Sequence, residues 1–85
     1  MSPKRNKLYV PIRRTDRNSI GTTIAKLRAQ QTLTQEDLAG RAAGSGWQIS
    51  RDTVKHIESG EREITDKEIR LLAKALRVPI GVLFE

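Results

Sequence analysis

The hydrophobic positions of the chain recur at helical spacing from Ser19 onward. Apolar residues three, four and seven positions apart share one face of an α-helix, so each repeat of this kind predicts an amphipathic helix. The repeats are Ile20–Ile24–Leu27, Leu38–Ala39–Ala42, Val54–Ile57 and Ile69–Leu72–Ala73–Leu76. A short fifth helix is predicted over Ile80–Phe84, because Pro79 ends the last repeat and suits the first turn of a new helix. The pattern predicts an all-α domain of five helices.

Residues that favour helix ends lie between these repeats. Thr34 and Ser50 are good N-caps for the second and third helices. Gly60 is the glycine expected after the third helix. Thr65 and Glu68 have the spacing of a capping box, in which each side chain accepts from the other residue's backbone N–H.

Residues 1–18 form a separate, basic segment. They contain Pro3 and Pro11 and show no helical repeat. They hold six Lys or Arg and one Asp, a net charge of +5 out of +6 for the whole chain, so residues 19–85 carry only +1. The sequence predicts an extended basic N-terminal arm over 1–18 and a helical domain over 19–85.

Three interpretations of the arm stay open. It is a solvated tail, or it contacts DNA through Arg13, Arg14 and Arg17 in the way that basic arms enter a minor groove. The third is a strand, Leu8–Val10, that pairs with a second subunit.

The length and composition exclude several classes of protein. The 85 residues allow one small domain, and with no cysteine and one histidine we expect no disulfide, no metal site and no cofactor. No apolar stretch approaches the roughly 20 residues of a membrane span, so a cytoplasmic protein without a membrane partner is expected. No paired catalytic residues or cofactor loop are evident, so we expect no enzyme. The net charge of +6 is typical of a protein that binds nucleic acid, an anionic surface or an acidic partner, but a charge of this size can also serve solubility alone.

Two motifs at matching separations give a specific signal: Leu33–Ala39 (LTQEDLA) and Ile57–Gly60 (IESG). Over residues 19–84 the chain resembles the lambda-repressor-like helix-turn-helix family, also called the Cro or xenobiotic-response-element type. The connection Gly44–Ile49 is longer than the usual turn and resembles a subfamily with a Gly-Trp-x-Ile-Ser turn. The resemblance implies a sequence-specific DNA-binding transcriptional regulator, associated with the nucleoid if the source is bacterial or phage.

The third helix is the candidate for reading DNA bases. Its apolar residues Val54 and Ile57 face inward, so the polar residues of the other face point outward. These are Arg51, Asp52, Lys55 and His56. The resemblance places them on or beside the family's base-reading positions, and a helix of this kind fits the major groove. For His56 the alternative of a solvated helix residue stays equally open.

Other contacts follow from helix chemistry and the resemblance. Thr34 and Gln35 lie at the positive N-terminus of the second helix, which suits a DNA phosphate, and Arg62 is the cation in the loop after the third helix. The resemblance implies that Glu58 holds this loop by hydrogen bonds. Trp47 either packs over the core and anchors the longer turn or contacts DNA or a partner.

The fifth helix is unusually apolar for its length. Ile80, Leu83 and Phe84 predict a homodimer interface, and a two-fold dimer would read a palindromic operator with half-sites roughly 34 Å apart. The sequence therefore favours a homodimeric repressor bound to double-stranded DNA. Two alternatives remain: an antitoxin-like protein that binds a partner protein and autoregulates its operon, and a protein-interaction module that keeps only the fold.

Overall fold

Four α-helices and a short 3₁₀ helix make up the described part of the chain. The computed structural model describes the backbone of residues 14–84 and the side chains of residues 18–84. The helices are α1 (Arg14–Gln30), α2 (Gln35–Gly44), α3 (Arg51–Glu58) and α4 (Asp66–Leu76), followed by the 3₁₀ helix Ile80–Phe84. The predicted all-α class is confirmed for these residues.

The two ends of the helical pattern differ from the prediction. α1 begins at Arg14 rather than Ser19, so residues 14–18 belong to the first helix and not to an extended arm. Extending an existing helix needs no apolar repeat, since each added residue closes one more backbone hydrogen bond. The predicted fifth helix, Ile80–Phe84, is a 3₁₀ helix, the tighter form common in such short pieces.

A single cluster of apolar side chains lies between the helices. α2 packs against α3 and α4, while α1 packs against α3, α4 and the 3₁₀ helix. The largest fully buried side chains come from every helix and from the α3–α4 loop: Ile20, Ile24, Leu38, Val54, Ile64, Ile69, Leu72, Leu76 and Leu83. Leu27, Trp47 and Val78 are partly buried against this cluster. The inward faces predicted from the repeats are confirmed.

The predicted caps form as expected. The Thr34 side chain accepts from the Asp37 N–H, and that of Ser50 accepts from the Thr53 N–H, at 3.0 and 3.2 Å. Thr65 and Glu68 make both hydrogen bonds of the predicted capping box, at 3.1 and 3.2 Å. Each cap satisfies N–H groups that a helix start leaves unpaired.

Gly21 sets how closely α1 approaches α3. A β-carbon at this position would lie 2.5 Å from the backbone carbonyl oxygens of Ile57 and Glu58. Glycine therefore lets α1 rest directly against the C-terminal turn of α3. This contact fixes the back of α3 while its opposite face stays in solvent.

No helix in residues 14–84 is both long enough and apolar enough to cross a membrane.

Candidate nucleic-acid interface

The outward face of α3 carries the four predicted base-reading residues. Arg51, Asp52, Lys55 and His56 are all exposed. On the other side of the helix Val54 and Ile57 are 0% and 3% exposed. The sequence prediction of their outward orientation is confirmed, and their contact with bases stays a prediction.

The start of α2 lies near the start of α3. A shallow depression on the surface is lined by Arg28, Thr34, Gln35 and Arg51, among others. The fold therefore brings the two residues predicted to bind phosphate next to one of the predicted base-reading residues. Helix N-termini of this kind present unpaired N–H groups to an anion.

Thr34 forms a full capping box with Asp37. The Thr34 N–H donates to Asp37 Oδ2 at 2.9 Å, in addition to the bond from the Asp37 N–H to the Thr34 hydroxyl. The backbone and side-chain hydrogen bonds from Thr34 hold the pKa of Asp37 below its usual value. The N–H groups of Thr34 and Asp37 are thus both used in the capping box, and a phosphate here would meet the N–H groups of Gln35 and Glu36.

An ion pair that the sequence analysis did not find joins α1 to α3. Arg28 Nε donates to Glu58 Oε2 at 2.7 Å and Arg28 Nη2 donates to Glu58 Oε1 at 3.2 Å. The side chains are 20% and 8% exposed. The hydrogen bond to Glu58 raises the pKa of Arg28, although partial burial acts against it. Because the residues are 30 positions apart, no local spacing could have signalled the pair.

Two further bonds extend this ion pair into a bracket across three helices. Arg28 Nη1 donates to the Leu33 carbonyl at 2.8 Å, and Gln35 Nε2 donates to Glu58 Oε1 at 2.9 Å. The carboxylate of Glu58 therefore binds α1 and α2, not the loop after α3, where the resemblance placed its partners. The Gln35 amide is also engaged within the protein. We call Arg28, Gln35 and Glu58 the bracket.

Arg62 is less available to DNA than the sequence suggested. Its Nη1 and Nη2 each donate to one oxygen of Glu68 at 3.1 Å, a bidentate pair. Burial alone would raise the pKa of Glu68, but the hydrogen bonds from Arg62 and Thr65 hold it below its usual value. The guanidinium carbon of Arg62 also lies 6.0 Å from the centre of the Trp47 ring, within the range of a cation–π contact.

Trp47 anchors the longer connection between α2 and α3. Its side chain is half-buried against the core, and its backbone N–H donates to the Ala42 carbonyl at 3.0 Å. Gly46 precedes it at φ 91°, a backbone conformation that favours glycine. The position of Trp47 therefore agrees with the interpretation that it packs over the core and anchors the longer turn.

The loop after α3 folds back on the outward face of that helix. His56 Nδ1 lies 3.3 Å from Glu61 Oε1, and the Ser59 hydroxyl donates to the same oxygen at 2.7 Å. The bonds from Ser59 and His56 hold the pKa of Glu61 below its usual value. A carboxylate thus lies beside one of the predicted base-reading residues, which sequence spacing did not indicate.

The sequence profile of the helix-turn-helix family matches residues 24–83. This chain belongs to the helix-turn-helix family. Membership in this family, together with the exposed polar face of α3, identifies the chain as a DNA-binding transcriptional regulator.

A solved structure agrees with this helix-turn-helix assignment. The chain is similar to the restriction-modification controller protein C.AhdI from Aeromonas hydrophila, with a TM-score of 0.73 and 30% sequence identity. The match covers 84% of this chain and 96% of the other. No curated protein sequence matches the chain.

The remaining predicted residues of the helix-turn-helix chain have mixed outcomes. The side chains of Arg13, Arg14 and Arg17 lie outside the described residues. Leu83 is completely buried in the core of its own chain, so it cannot contact a second subunit, and its place in the dimer interface is corrected. A 3₁₀ helix turns its third apolar residue inward here, while Phe84 stays 52% exposed and Ile80 packs at the edge of the core.

Proposed function

We propose that this helix-turn-helix protein binds double-stranded DNA at a specific sequence and represses transcription as a homodimer on a palindromic operator. The proposal is carried by α3, whose exposed Arg51, Asp52, Lys55 and His56 form one polar face. A helix enters the major groove, where polar side chains distinguish the base pairs. The bracket and the Gly21 contact hold α3 in a fixed orientation, as sequence reading requires.

The similar Aeromonas hydrophila protein is named a restriction-modification controller protein. Its match over most of both chains supports a role in controlling gene expression for this protein as well. The proposed mechanism is occupancy: a bound dimer blocks the access of polymerase to a promoter. We also assign the chain to the subfamily with the Gly-Trp-x-Ile-Ser turn, because Trp47 anchors that connection on the core.

Phosphate contacts are proposed for the start of α2. Thr34 and Gln35 border the depression that Arg51 also lines, so one phosphate there would lie beside the reading helix. Since the Gln35 amide donates to Glu58, the contact uses the backbone N–H groups of the first turn. Arg62 contributes little, because Glu68 balances its charge.

The dimer contact is proposed on the 3₁₀ helix, at Phe84 and Ile80. Phe84 is the exposed large hydrophobic residue among the described residues, and burial of an aromatic side chain is a common source of interface stability. Phe84→Ser should weaken the dimer without removing a core side chain. Sedimentation velocity of wild type and variant checks this, with circular dichroism as the control for folding.

Selection from a random DNA library tests the function. Wild type should enrich a palindromic site, and Arg51→Ala should change the base preference at one position of each half-site. The matched control is Arg70→Ala, which removes the same charge from the exposed face of α4, where Arg70 pairs with Asp66. If wild type enriches no sequence, the proposed function is wrong; if Arg51→Ala and Arg70→Ala behave alike, Arg51 does not read a base.

A further inference from the structure

The ring of His56 is held by the loop that follows its own helix. Two backbone groups of the loop donate to the His56 carbonyl: the Glu61 N–H at 3.1 Å and the Arg62 N–H at 3.2 Å. The backbone of the loop is therefore fastened at His56 itself. These backbone bonds position Glu61 so that its carboxylate lies against the His56 imidazole.

The contact determines which nitrogen of a neutral His56 carries the proton. Glu61 Oε1 lies 3.3 Å from Nδ1. An ionised carboxylate can only accept hydrogen bonds, so the partner nitrogen must donate, which requires a proton on Nδ1. The other nitrogen, Nε2, then carries a lone pair and acts as an acceptor.

An acceptor at Nε2 distinguishes between bases in the major groove. Cytosine presents the N4 amino group and adenine presents the N6 amino group as donors there, whereas guanine O6 and N7 and thymine O4 are acceptors. A lone pair on Nε2 accepts a hydrogen bond from the amino group of cytosine or adenine, and it repels the acceptor oxygens of guanine and thymine.

We propose that Glu61 is a positioning residue that fixes the tautomer of His56, so that Nε2 reads the amino group of a cytosine or an adenine. The inference rests on the proposed function, since it needs α3 in the major groove. It also explains why the loop predicted to lie near DNA phosphates carries Glu61, whose negative charge would repel a phosphate.

The tautomer is tested in the free protein, without DNA. Long-range ¹H–¹⁵N NMR at pH 8 should show Nδ1 protonated and Nε2 unprotonated in wild type. Glu61→Ala should move the ring toward the Nε2-protonated form, while Glu63→Ala, the same charge change two residues away, should leave it unchanged. Wild type with a proton on Nε2 would overturn the inference, whatever the protein binds.

The reading step is tested by base preference at each position of the selected site. His56→Ala identifies the position that His56 reads. At that position wild type at pH 8 should prefer cytosine or adenine. Glu61→Ala should reduce the preference about fivefold, the effect of one hydrogen bond, while Glu63→Ala should keep it.

The outcomes separate this inference from the proposed function. A selected site whose preference Glu61→Ala leaves unchanged contradicts the role of Glu61 alone. A wild-type protein that selects no DNA sequence contradicts the proposed function, and with it the reading step.

Discussion

Thr32 shows the conflict between local chemistry and fold at the scale of a single residue. It lies in the turn between α1 and α2 at φ 56°, in the left-handed region. A β-branched side chain is disfavoured there, because its β-carbon crowds the following carbonyl. Its hydroxyl donates to the Gln31 carbonyl at 2.6 Å, which satisfies the group but does not remove the crowding.

Thr32→Gly should therefore stabilise the protein. Removal of the side chain relieves about 1 kcal/mol of backbone strain, and the free energy of unfolding should rise by somewhat less, because glycine also loosens the unfolded chain. Urea denaturation followed by circular dichroism measures it. Thr22→Gly, inside α1, is the control and should lower stability by a few tenths of a kcal/mol; a loss of stability at both positions would contradict the strain argument.

At the scale of elements, two glycines in helices should respond in opposite ways. Gly21→Ala pushes a β-carbon into the carbonyl oxygens of Ile57 and Glu58, and crowding of this kind costs about 1–3 kcal/mol. Gly40→Ala meets nothing within 4 Å and should add about 1 kcal/mol through helix propensity. Thermal or urea unfolding of the two variants checks the signs. Equal effects would mean that the α1–α3 contact is looser than the structure shows.

The bracket couples the orientation of α3 to α1 and α2. Glu58→Ala leaves the partly buried guanidinium of Arg28 without its carboxylate, and the loss of a hydrogen bond between charged groups costs about 1.5–3 kcal/mol. Glu63→Ala removes an equal charge from an exposed site and should change stability by less than about 0.5 kcal/mol. Urea midpoints of both variants test the difference. If Glu58→Ala is as mild as Glu63→Ala, the ion pair does not hold the helices together.

The start of α4 should make stability depend on pH. The folded-state pKa of Glu68 is lowered from 4.5, so its stabilising effect is complete above pH 4.5 and is lost as the pH falls through the folded value. Glu68→Gln keeps a hydrogen-bond acceptor but does not titrate. The gap in urea midpoint between wild type and this variant should narrow from pH 6 to pH 3. A constant gap would show that the charge of Glu68 contributes nothing.

At the scale of the whole molecule, charge and specificity lie in different places. Residues 1–18 carry +5 of the total charge of +6, while the base-reading candidates lie on α3. We expect the N-terminal residues to supply affinity without sequence preference, through phosphate contacts that release counterions. The exposed face of α3 should supply the preference.

Removal of residues 1–13 tests this division and leaves α1 intact, since α1 begins at Arg14. The slope of log affinity against log salt should become shallower by roughly 1–3 units, according to how many of the four lost cations contact phosphates. The selected DNA sequence should stay the same. Fluorescence anisotropy over a series of salt concentrations measures the slope. An unchanged slope would mean that residues 1–13 do not contact phosphates and would favour the interpretation as a solvated tail.

Much of the fold follows from local sequence. The spacing of apolar residues predicted α2, α3 and α4 and their inward faces, because the buried positions of a helix recur with the helical period. Thr34, Ser50 and Thr65 marked the starts of these helices, because a cap is a hydrogen bond between residues only a few positions apart. The same reasoning missed the start of α1, where polar residues continue a helix without an apolar repeat.

Tertiary structure alone decided the partners of the polar residues. The sequence by itself determined that Arg51 and His56 point outward. It could not show that Glu58 binds Arg28 from 30 positions away or that Leu83 enters the core. Both features depend on how whole helices pack against one another. That packing leaves no periodic pattern in the local sequence. The contact of Glu61 with His56 likewise exists only because the loop closes back over α3.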